Sequence, residues 1–153
     1  MEMKKKSWVL LMGLVVILAA CGGDESHEID VSDVRVGRPT GPNAALYFTA
    51  TSQVPDLLIG AETEVASSVQ IHETTTGDDG TMGMQPIESL SVDDGEDLVL
   101  EPGGTHLMLI DVARLEVGDE IEVTLIWESQ GETTVIATVV EPEDAMGHED
   151  HDG

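Results

Sequence analysis

Two histidines and three methionines carry the spacing with most chemical content: His72, then Met82 and Met84, then His106 and Met108 within Gly103-Gly104-Thr105-His106-Leu107-Met108-Leu109-Ile110. Imidazole and thioether are uncharged, soft donors, and together they suit Cu(I), which favours nitrogen and sulfur over oxygen. Zinc more often recruits cysteine or carboxylate with histidine, and calcium wants clustered oxygens at defined spacing. Asp78-Asp79-Gly80 and Asp93-Asp94-Gly95-Glu96-Asp97 do not match an EF-hand loop and read as acidic turns. Thioethers also form no disulfides in an oxidising compartment. Cys21 is the single cysteine, so a blue-copper electron-transfer site, which needs a thiolate, is excluded if Cys21 carries lipid. No Ser/His/Asp spacing, phosphate loop or paired-carboxylate setting stands out, and the chain does not read as an enzyme.

Those side chains need elements that hold them on one surface. Short runs of β type, broken by Gly, Pro and Asp clusters, predict strands near 29–36, 44–51, 65–74, 82–88, 97–101, 106–111, 120–128 and 133–140. Alternation sends Val69 and Ile71 to one face and Gln70 with His72 to the other; it sends Leu107 and Leu109 inward and His106 with Met108 outward, away from the core. Ile121, Val123, Leu125 and Trp127 share one face of a half-buried strand. Only Pro55 to Ala66 is read as able to hold a helical turn. About eight short strands in one unit without internal repeats predict a two-layer β-sandwich.

Residues 1–20 combine Lys4, Lys5 and Lys6 with an apolar run from Trp8 to Ala20, the pattern of an export signal. Leu18-Ala19-Ala20-Cys21 resembles the lipobox of bacterial lipoproteins, which makes Cys21 the expected lipidated first residue of the mature chain. The expected order is then a signal peptide (1–20), a lipidated tether with a solvated His27 (21–28), a β-sandwich (29–140) and a disordered acidic tail (141–153). In that tail, Met146, His148 and His151 leave two readings open: a solvated acidic segment, or an auxiliary metal-loading arm whose nitrogen and oxygen donors suit Cu(II). The full chain has a formal charge of −25, and without residues 1–20 only three arginines and no lysine face 30 acids. Such a surface repels nucleic acid and anionic headgroups, so no nucleic-acid partner is expected.

Three segments, His72-Glu73-Thr74, Gly80-Thr81-Met82-Gly83-Met84 and Pro102 to Leu109, resemble the extracytoplasmic copper chaperones of the PCuAC type over roughly residues 29 to 140. That family carries a His, a Met after ten residues, and a His-x-Met after twenty-one more. Here twenty-one residues separate Met84 from His106, and eleven separate His72 from Met84, which corresponds to one insertion in the turn Thr76 to Gly80. The resemblance implies an all-β, cupredoxin-like Greek-key β-sandwich binding one Cu(I) through His72, Met84, His106 and Met108, with Met82 as the other candidate methionine. It further implies delivery of copper toward cytochrome oxidase copper centres by ligand exchange, to an oxidase subunit or a thioredoxin-like assembly protein. The alternatives are a copper-buffering or resistance lipoprotein that binds the same ion, and a metal-free Ig-like structural lipoprotein.

Overall fold

The structure is a computed structural model, and it describes residues 29–145. The signal segment, Cys21, the tether, Met146, His148 and His151 lie outside the described residues. Among the described residues no helix is long and apolar enough to cross a membrane.

Among the described residues ten strands form one hydrogen-bonded sheet. They are β1 (Asp30–Gly37), β2 (Ala44–Thr51), β3 (Asp56–Glu62), β4 (Ser68–Thr76), β5 (Met82–Ile87), β6 (Leu90–Val92), β7 (Asp97–Leu100), β8 (Thr105–Ile110), β9 (Glu120–Trp127) and β10 (Gly131–Val140). Their order is β5-β4-β8-β2-β1-β10-β9-β3-β6, with β7 continuing along β2 beyond β8. All pairs are antiparallel except β1 with β10. The sheet curls until β3 lies against β4 and β6 against β7, so both layers enclose one core.

Period-two patterning fills that core. In β2 the residues Ala44, Leu46, Phe48 and Ala50 are buried in strict alternation, and in β9 Ile121, Val123, Leu125 and Trp127 do the same. Leu107 and Leu109 of β8 and Ile71 of β4 complete the wall behind the histidines. Each such aliphatic side chain contributes about 1.5–3 kcal/mol when fully buried.

Three elements depart from expectation. Pro55 to Ala66 holds no helical turn; its centre is strand β3. The register of β3 on β9 slips between Leu58 and Gly60, so two residues of β3 oppose one of β9 and Ile59 bulges outward. Buried positions therefore fall at Asp56, Leu58 and Ala61, and the step of three across the bulge imitates a helical period. The short strand β6 was likewise not expected. At the other end, Glu141 to Ala145 is not disordered: Pro142–Ala145 forms one helical turn, α1, packed on β1. Two arginines spaced along β1 and the loop after it fix this turn. Arg35 Nε donates to the Ala145 carbonyl at 3.1 Å, and Arg38 pairs with Glu141 at 2.8 Å. Ala145 is buried, its methyl 3.6 Å from where a Cβ on Gly37 would stand, which is ordinary van der Waals contact between the turn and β1.

Candidate metal centre

The site is assembled by strand register. On the β4–β8 pair, His72 stands opposite His106 and Gln70 opposite Met108; on β4–β5, Thr74 stands opposite Met84 and His72 opposite Pro86. Side chains opposite one another share a face, as do residues two apart on a strand. His72, Met84, His106 and Met108 therefore rise from one face, on the side away from Ile71, Leu107 and Leu109. The two imidazoles are near neighbours, with ring centroids 5.7 Å apart and planes inclined at 58°.

Met84, His106 and Met108 line one open cavity of about 300 Å³, together with Tyr47, Thr74 and Pro142. His72 is not on the cavity wall, and enters the group through its contact with His106. Met82 shares the same face of β5 but pairs with Thr76, two residues further out, and is 69 % exposed. The Thr76–Gly80 turn absorbs the extra residue locally: Gly77 N–H donates to the Thr81 carbonyl at 2.7 Å, and the Asp79 carboxylate accepts from the Thr81 hydroxyl at 2.6 Å. Gly80, with φ of 81°, takes the left-handed position that such a tight turn requires. The strands on either side keep their register, and Met84 stays in line with Thr74.

The face of His106 follows the alternation of β8, but its burial does not. It stands on the face away from the core, yet it is only 3 % exposed. Tyr47, on the same face of the neighbouring β2, covers it with ring centroids 6.2 Å apart, while His72 flanks the other side. The Arg35 guanidinium lies 5.7 Å over the Tyr47 ring and holds α1 with its Nε, so the cover is itself braced. Burial also raises the Tyr47 pKa, which Arg35 partly offsets, keeping the phenol neutral. As one of three aromatics in residues 29–140, with Phe48 and Trp127, Tyr47 is expected from the sequence in the core, and the structure puts it on the opposite face instead. Its signal was present, because Leu46 and Phe48 point inward and leave Tyr47 as an aromatic on the opposite face.

Electrostatics keep this histidine a free base. Burial pushes the His106 pKa below the usual 6.5; a hydrogen bond to the Gly104 backbone works in the opposite direction, and His72 adds to the depression. Two ring nitrogens, Nδ1 of His72 and Nε2 of His106, are buried without any hydrogen-bond partner. Buried polar atoms are nearly always paired, and each orphan costs about 1–3 kcal/mol. Two bare nitrogen lone pairs beside two thioethers form a set that a soft monovalent ion satisfies. Among the described residues no group of three or more His, Cys, Asp and Glu is placed to hold a metal.

The family model described as "Putative lipoprotein LpqE-like" matches residues 29–139. The chain belongs to the LpqE-like family. A relative from Leifsonia xyli subsp. xyli (strain CTCB07), "Putative lipoprotein Lxx21020", is 42 % identical over 86 residues, which are 55 % of this chain and 51 % of the relative. The LpqE-like chain thus matches about half the length of that curated relative. The copper-bound PCuAC domain from PmoF2 superposes with a TM-score of 0.62 at 27 % identity, covering 74 % of this chain and 93 % of that domain. The solution structure of CuI-DR1885 from Deinococcus radiodurans gives 0.58 at 27 % identity, covering 81 % and 86 %. The LpqE-like sandwich is therefore of PCuAC type and its fold is cupredoxin-like, as the sequence resemblance implied.

Proposed function

We propose that this LpqE-like protein is an extracytoplasmic, lipid-anchored chaperone that binds one Cu(I) through His72, Met84, His106 and Met108 and passes it on by ligand exchange. The observation that carries this reading is the buried, unpartnered Nε2 of His106, a residue that lines one open cavity with Met84 and Met108, next to the equally unpartnered Nδ1 of the neighbouring His72 ring. The copper-bound and CuI-loaded domains of the same fold support it. A neutral, thioether-rich site holds Cu(I) without a thiolate, and it opens to a partner, because Met84 is 61 % exposed. Delivery toward the copper centres of a respiratory oxidase, directly or through a thioredoxin-like assembly protein, is the role the family resemblance implies. The protein's part is binding and hand-over rather than bond-making.

Membrane anchoring through Cys21 rests on the signal and lipobox residues, and the lipoprotein descriptions of the family and of the Leifsonia relative agree with it. The seven-residue tether, 22–28, reaches at most about 25 Å, at about 3.5 Å per residue, which would keep the domain at the membrane surface. An auxiliary Cu(II)-loading role for Met146, His148 and His151 belongs to the same proposal and rests on their donor types alone.

The decisive test is a Cu(I) competition titration of the unlipidated mature chain against a chromophoric chelator. One tightly bound equivalent, lost in a His106→Phe variant that keeps its fold, is the expected result. A stoichiometry and affinity unchanged in that variant would sink the assignment. Delivery is tested separately: a deletion strain should lose oxidase activity and regain it with added copper, whereas unaltered oxidase activity would favour copper buffering. Cys21→Ser should release the protein from the membrane fraction.

A further inference from the structure

The two histidines are not held in the same way. His72 Nε2 lies 2.9 Å from Oε1 of Gln70, two residues away on the same face of β4. An amide oxygen only accepts hydrogen bonds, so Nε2 must carry the ring proton. In a neutral imidazole the other nitrogen is then a bare lone pair, and Nδ1 is the atom found buried and unpartnered. His106 shows the reverse. Its Nε2 is the unpartnered atom, and the ring's hydrogen bond to the Gly104 backbone favours the protonated nitrogen, as donation to a carbonyl does. By elimination that bond belongs to Nδ1. Gly104 is fixed in turn: its N–H donates to the Glu101 carbonyl at 3.1 Å, and its own carbonyl accepts from the Thr74 N–H at 3.1 Å.

We infer that Gln70 is a positioning residue that commits His72 to bind copper through Nδ1, while the Gly104 carbonyl commits His106 to bind through Nε2. The inference rests on the four-donor reading above and adds which atoms do the binding and which residues choose them. The physical basis is general, since the hydrogen bond at one imidazole nitrogen fixes the tautomer and hence the nitrogen left for the metal. Both presentations come from one strand pair, because His72 and His106 are directly opposite and their two orphan atoms are already stripped of water. Gln70 also stands opposite Met108, so the residue that orients one ligand packs beside another.

The test uses the full mature chain, unlipidated and labelled with 15N-histidine, with and without one equivalent of Cu(I) under reducing conditions. Long-range 1H–15N ring correlations should show the proton on Nε2 of His72 and on Nδ1 of His106 in both states, with copper shifting Nδ1 of His72 and Nε2 of His106. Copper bound through Nε2 of His72, with the proton on Nδ1, overturns the inference. As a second readout, Gln70→Leu should weaken Cu(I) binding about tenfold, the low end for an outer partner because Gln70 is exposed, and Gln70→Glu, which keeps the acceptor, should restore it. A Gln70→Leu affinity within about twofold of the parent also overturns it. His72→Ala separates the two failures: an intact affinity there removes the four-donor reading itself, whereas a wrong ring nitrogen removes only the role of Gln70.

Discussion

Two regions of this sandwich bury polar groups, and they treat them in opposite ways. Asp56, at the start of β3, is 5 % exposed, and its carboxylate accepts backbone N–H groups from Leu57 at 2.8 Å, Ser129 at 2.9 Å and Gln130 at 3.0 Å. Nearby Ser52 is equally complete, donating to the Val54 carbonyl and accepting from the Gln130 amide. Nothing there is left for a ligand, and the cluster ties the β9–β10 turn to β3. On the His72–His106 pair, by contrast, each ring has one nitrogen committed and one vacant. A buried polar group with every partner supplied is architecture; one with a lone pair withheld from the fold is reserved for something else. Orphan status alone is not sufficient. Trp127 Nε1 is also buried without a partner, but an indole N–H only donates and cannot ligate a cation.

The sharpest way to break this contrast is a crossed pair of substitutions. Asp56→Ala strips three backbone donors of their acceptor and should cost about 3–5 kcal/mol, lowering the melting temperature by more than about 10 °C, with Cu(I) affinity of the folded protein unchanged. His106→Phe should do the reverse. It removes one of the four proposed ligands and should lower Cu(I) affinity by at least about 100-fold, beyond the range seen for outer partners alone. The apo melting temperature should hold or rise, because an unsatisfied nitrogen is replaced by an apolar ring. Calorimetry and chelator competition on both variants check the pair; a large stability loss in His106→Phe would mean the histidine is architectural after all.

The contrast was half legible in the sequence. His72, His106 and Met108 were placed on a shared face by alternation, because β4 and β8 are regular and register transmits a local pattern across strands. Three features escaped. The bulge at Ile59 changed the period of β3, so the strand that carries Asp56 resembled a helical turn. The burial of His106 depends on Tyr47, some sixty residues away in the chain, and no local pattern reports a cover supplied by another strand. The order of α1 depends on Arg35, separated by 110 positions from Ala145. Each miss is a long-range contact overriding a local signal.

Acid should separate the two regions without mutation. Burial works to raise the Asp56 pKa, but the backbone N–H groups of Ser129, Leu57 and Gln130 together outweigh it and hold the carboxyl below its ordinary 3.8. Its stabilisation is therefore present above about pH 4 and is lost as pH falls through the depressed folded value. His106 has the opposite chemistry and the same direction. The unfolded chain takes up a proton near 6.5, which the buried ring resists, so apo stability should begin to decline as pH drops below 6.5. Melting temperatures of the apo protein between pH 8 and 3 should thus fall in two stages, the upper one missing in His106→Phe and the lower one missing in Asp56→Ala. An upper stage that survives in His106→Phe would detach it from this histidine.

The finest distinction lies within the proposed metal site, between two nearly interchangeable methionines two positions apart on β5. Met82 and Met84 point from the same face of β5 and are both largely exposed, so burial does not separate them. Register does, because Met84 pairs with Thr74 and reaches the cavity, whereas Met82 pairs with Thr76 beyond its edge. Met84→Leu should weaken Cu(I) binding about tenfold or more, and Met82→Leu should change it by less than about twofold. Neither should move the apo melting temperature by more than about 2 °C, since both side chains face solvent. The smallest effect concerns the chain end. Cutting after Ala145 keeps α1, its carbonyl bond to Arg35 and the Arg38–Glu141 pair, so the Cu(I) affinity should match the full chain and only Cu(II) uptake should fall. Cutting after Val140 instead removes Pro142 and Ala145 from the cavity wall and frees Arg35 from its carbonyl partner, so Cu(I) affinity should drop measurably. Equal Cu(I) affinities for the two truncations would show that the wall contributed by α1 plays no part in holding the ion, and would confine the site to the sheet face alone.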